Sequence, residues 1–62
     1  MTEEELLKRE RYPYEVAEFL GISMRRMRDM CRMAKFYKDF DPRYRKLPTS
    51  VVKRIIEIYN SL

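Results

Sequence analysis

The sequence predicts a mainly α domain with one small β-hairpin, and three stretches carry that expectation. Residues 13–34 hold two short helical patterns meeting at Gly21, residues 35–47 interleave aromatic and basic side chains around Asp41 and Pro42, and residues 48–62 repeat apolar residues at helical spacing. With 62 residues the chain forms a single domain with a thin core, so contact with a partner matters to its stability.

At the start, Thr2 and Glu5 have the spacing of a capping box, and Glu3, Glu4 and Glu5 sit where the helix dipole favours negative charge. A helix from Glu3 to about Arg11 is expected within residues 1–12, supported by Glu4 with Lys8 and Glu5 with Arg9 at four-residue spacing. Pro13 ends it and holds Tyr12 extended. Since only Leu6 and Leu7 are apolar, this helix lies across the core, frays in solution or touches a second copy.

Pro13, with its fixed φ and missing amide hydrogen, opens the next helix. Val16, Ala17 and Leu20 form its buried stripe, Gly21 supplies the left-handed residue that stops it, and Ser23 caps the helix that follows. On that following helix, a rotation of about 100° per residue gathers Met27, Met30, Cys31 and Ala34 on one face and Arg25, Arg28, Arg32 and Asp29 on another. Methionines at 24, 27, 30 and 33 spiral around it, so they cannot all be buried: Met27 and Met30 are core, and Met33 is exposed. Cys31 reads as a small buried hydrophobe.

Beyond Ala34, Phe36 with Tyr37 and Tyr44 between Arg43 and Arg45 suit two short strands joined by the Asp41-Pro42 turn. The expected hairpin carries Lys35, Lys38, Arg43, Arg45 and Lys46; an irregular basic loop is the alternative. Thr49 or Ser50 is the expected cap of the last helix, whose apolar face runs through Val51, Val52, Ile55, Ile56, Ile58, Tyr59 and Leu62. That face is wider than so small a unit needs, and part of it is available to the first helix or to a second copy.

Charge is unevenly distributed. Net charge is −3 over residues 1–23, +6 over 24–46 and +1 over 47–62, which reads as a local basic contact surface. One cysteine and no histidine leave no internal disulfide, no usual zinc set and no nucleophile–base pair. Catalytic residues, metal ligands and cofactors are therefore not expected, and neither is an enzyme. No apolar run reaches membrane length and the start is acidic, so the expected setting is cytoplasmic, without a membrane partner.

The spacing of Ala17, Gly21 and Met27, with Val16, Leu20 and Met30 at the remaining apolar positions, resembles a helix-turn-helix, the unit whose second helix enters the DNA major groove. A helical hairpin that only packs is the other reading. From Tyr12 to Ile58 the chain resembles the winged helix-turn-helix of the MerR and excisionase-like families: Pro13, Val16, Ala17, Gly21, Ile22, Ser23, Met27 and Arg28, then Tyr44 and Arg45, then Val51, Val52 and Ile55. Ala34 departs from the glycine usual before the wing, the hairpin has no glycine, and there is no long dimerisation helix or effector domain. The resemblance is thus to the small stand-alone members found in phages and mobile elements, without ligand or metal sensing.

It implies that Arg25, Arg28 and Arg32 lie in the major groove and that Arg43 and Arg45 touch the flanking backbone. The wider expected DNA surface is Ser23, Met24, Arg25, Arg26, Arg28, Asp29, Arg32, Lys35, Lys38, Arg43, Tyr44, Arg45 and Lys46. Met24 lies where it can meet a thymine methyl group. The function expected is sequence-specific binding of double-stranded DNA, as an excisionase-like recombination accessory factor or a small transcriptional regulator. It would act by occupying or bending repeated sites, assisted by self-association and a recombinase or polymerase partner. A protein-interaction module, an inhibitor or adaptor with its basic face on an acidic protein, is the alternative.

Overall fold

The computed structural model describes residues 1–36 and 45–62. Four helices follow in order: α1 (Glu3–Leu6), α2 (Pro13–Leu20), α3 (Met24–Met33) and α4 (Thr49–Ser61). Helix α3 packs on both α2 and α4. Leu6, Val16, Ala17, Met27, Met30, Cys31, Leu47, Val52, Ile55 and Ile56 form the core between them. Among the described residues, no helix is long and apolar enough to cross a membrane.

Helix α1 is shorter than the spacing of its acids and bases predicts. Thr2 Oγ1 accepts from the Glu5 amide at 3.2 Å as a cap should, but the helix ends at Leu6 and not near Arg11. Arg11 folds back instead. Its Nε donates to the Leu6 carbonyl at 3.0 Å and its Nη2 to the Glu5 carbonyl at 2.6 Å. Those are the acceptors that another helical turn would have used, so the guanidinium replaces the amides of residues 9 and 10. Arg11 is only 5% exposed, and its Nη1 lies 3.7 Å from Glu15 Oε1. Exposed pairs at four-residue spacing stabilise a helix by about 0.3–0.5 kcal/mol each. Charge-assisted bonds, here one buried and one part-buried, contribute about 1.5–3 kcal/mol each, and the shorter helix wins.

Arg11 also gives its backbone to the fold. Its amide donates to the Leu47 carbonyl at 3.3 Å and its carbonyl accepts from the Leu47 amide at 2.6 Å. This isolated antiparallel bridge is the one β-type pairing among the described residues, which contain no strand. The expected β-hairpin wing is therefore corrected: the described part of the fold is helical, and Phe36, Arg45 and Lys46 at its edges are irregular. Leu47, fully buried, directs its two backbone groups to the segment preceding α2 and not to a hairpin partner. The expected turn at Asp41 and Pro42, with Tyr37, Lys38, Arg43 and Tyr44, lies outside the described residues.

Helix α2 begins at Pro13, and the Tyr12 amide just before it donates to Glu15 Oε2 at 2.8 Å. Its end and the end of α3 are built alike. Gly21 has φ 68°, with its amide on the Glu18 carbonyl and that of Ile22 on the Ala17 carbonyl. Lys35 has φ 59°, with its amide on the Arg32 carbonyl and that of Phe36 on the Cys31 carbonyl. Both are Schellman closures, in which the residue after the helix turns left-handed and the next one, here Ile22 or Phe36, packs on the core.

Gly21 adopts that conformation without strain. Lys35 does not, since its Cβ crowds the following carbonyl. Lys35→Gly is expected to raise stability by about 1 kcal/mol, read as a thermal midpoint several degrees higher. A lower midpoint would mean that the lysine side chain stabilises this turn.

Helix α4 starts at Thr49, the first of its two expected caps. Pro48 precedes the first turn, its carbonyl accepts from the Val51 and Val52 amides, and neither Thr49 nor Ser50 acts as a cap, both being helical. The bridge at Leu47 delivers the chain to the helix here and takes over the orienting role of a side-chain cap.

Candidate nucleic-acid interface

The expected contact surface centres on α3, which Ser23 starts by accepting the Arg26 amide on Oγ at 3.2 Å. Met27 (0% exposed), Met30 and Cys31 (2% each) anchor one side of the helix in the core. Burial pushes the Cys31 thiol up to about 11, so it stays protonated and packs as an apolar group. Arg25, Arg28 and Arg32 are exposed on the side turned away from that anchor. None of the three takes part in an ion pair among the described residues. Three guanidinium forks one turn apart on a rigid helix form a ridge suited to phosphate oxygens and guanine edges.

Asp29, one turn from both Arg25 and Arg32, and Arg26 beyond it flank this ridge. Both line a groove that also includes Met30, Met33 and Leu62, on the flank of α3 facing the end of α4. Met24 is half-buried against the core and only partly available at the surface.

Lys35, at the closure of α3, is exposed, as are Arg45 and Lys46. Lys46 is held in place: its Nζ lies 5.4 Å from the centre of the Tyr12 ring, and that ring stacks on Tyr14 at 5.7 Å with planes 12° apart. Lys38, Arg43 and Tyr44 lie outside the described residues. Among the described residues no group of three His, Cys, Asp or Glu side chains could hold a metal ion. The chain matches no protein-family model, no curated protein and no solved structure.

The structural roles of three residues were missed by sequence reasoning. Arg11 is expected only as the end of the first helix; the available signal was Glu15 four residues later, across the proline that breaks the helix between them. Tyr12, expected only to be extended before Pro13, stacks on Tyr14 and carries Lys46.

Proposed function

We propose that this chain binds double-stranded DNA sequence-specifically in the cytoplasm, as an excisionase-like accessory factor in recombination or a small transcriptional regulator, by occupying or bending repeated sites. The observation that carries this reading is the exposed Arg25–Arg28–Arg32 ridge on a helix whose opposite side is locked in the core by Met27, Met30 and Cys31. The similarity to the MerR and excisionase-like DNA-binding domains now rests on the α2–turn–α3 unit, without the hairpin. In this reading α3 enters the major groove, Ser23 and Met24 sit at its entry, and Lys35, Arg45 and Lys46 meet phosphates beside it.

Roughly four to six phosphate contacts would give non-specific binding only in the micromolar range or weaker at physiological salt. Specific occupancy then depends on several copies side by side or on a recombinase or polymerase partner. Selection from random duplex DNA, followed by gel-shift titration on arrays of the selected site, tests the proposal. An enriched motif with rising affinity per site on longer arrays is expected; failure to enrich any motif, or equal affinity per site throughout, counts against it.

A further inference from the structure

Apolar surface is left open where the ends of α3 and α4 meet. Met33 is 53% exposed and Leu62 70% exposed, and the two share a pair of adjoining grooves. One is completed by Ile58, Ser61, Arg54 and Glu57, the other by Met30, Arg26 and Asp29. The apolar strip is thus flanked by one base and one acid from each helix, three residues apart. These four side chains carry no net charge between them, in a chain of net charge +4.

That balance selects the occupant. A polyanion, whether nucleic acid or an acidic protein, would gain from Arg26 and Arg54 and lose as much to Asp29 and Glu57. A second copy of the chain would gain from all four in a twofold arrangement that set each base opposite an acid and laid apolar strip on apolar strip. The Arg54–Glu57 contact within the chain is loose, at 3.5 Å with both side chains more than half exposed, so exchanging it for a contact between copies costs little.

We infer that this strip is the contact between two copies of the chain, with Met33 and Leu62 at its centre and Arg26 and Asp29 serving that contact and not the DNA. The inference deepens the DNA-binding proposal by naming the surface through which neighbouring copies cooperate. Stable dimers bury about 800 Å² per partner, more than four apolar side chains supply, so association in solution is weak and is completed when two copies are held on adjacent sites.

Sedimentation of the free protein from about 10 µM to about 1 mM spans the expected weak range. The wild-type chain should show a reversible monomer–dimer equilibrium. Met33→Glu should weaken it more than about tenfold by placing an unpaired carboxylate in the apolar strip, while Met33→Leu retains it and both variants keep the wild-type melting curve. On DNA, Met33→Glu should lose cooperativity across two sites and keep its single-site affinity. A wild-type chain that remains monomeric throughout, or a Met33→Glu chain that still dimerises, overturns the inference, as does loss of single-site affinity. Because sedimentation is carried out without DNA, a failure of the DNA-binding proposal alone leaves its result standing.

Discussion

Arg25→Ala combined with Arg28→Ala is expected to weaken specific duplex binding by at least about 30-fold, from about 1–3 kcal/mol per lost guanidinium contact. Both side chains are exposed and both belong to the ridge opposite Met27 and Met30, so the melting curve should stay where it is. Salt dependence supplies the second readout. Each phosphate contact that disappears lowers the slope of log affinity against log salt by about one, and each contact made to a base edge leaves that slope intact while relaxing the preference for one sequence. If the double variant binds duplex DNA with unchanged affinity and unchanged slope, the ridge does not face DNA. Binding of an acidic protein that both substitutions abolish would then favour the inhibitor or adaptor reading.

The largest effect on stability is expected at Arg11. Arg11→Met keeps the length of the side chain and removes the guanidinium, leaving the Leu6 carbonyl without its donor, the Glu5 carbonyl with only the Lys8 amide, and the Glu15 carboxylate without its closest cation. Arg9 cannot substitute: it approaches Glu15 at 3.9 Å from a side chain 62% exposed. Removing one member of a buried charged network costs about 3–5 kcal/mol, against a total of about 3–9 kcal/mol for a domain of this length. The thermal midpoint should fall by more than about 12 °C. A fall of less than about 3 °C would show that water satisfies these carbonyls as well as the guanidinium does.

The two results separate what α3 presents from what holds it. Arg11 secures the end of α1, pairs with Glu15 on α2 and bridges to Leu47 ahead of α4, so it fixes the frame in which α3 is seated. Its loss should reduce DNA binding only in proportion to the unfolded fraction, and lowering the temperature should restore it. Loss of Arg25 and Arg28 is not rescued in that way.

The unit from Pro13 to Met33 was legible residue by residue, because each of its signals acts within one turn of itself. Proline presets one φ, glycine tolerates one positive φ, and a serine hydroxyl reaches an amide three residues on. The exposed arginine ridge followed from the same local periodicity. The second Schellman closure shows the limit of such signals. With Lys35 at the left-handed position instead of glycine, nothing in the local chemistry announces it, and the packing of Phe36 on the core is what holds it there.

By itself, then, the order of residues determined where α2 and α3 begin, where α2 stops and which side of α3 carries the arginines. Tertiary structure decided that α1 ends at Leu6, that Arg11 is core and not surface, that Leu47 pairs with Arg11 and not across a hairpin, and that Arg26 and Asp29 turn toward Leu62. Those outcomes depend on carbonyls, carboxylates and apolar surface brought together from distant parts of the chain. A buried guanidinium is worth several kcal/mol only once its acceptors are in place, and no spacing within a single helix reveals where they will be.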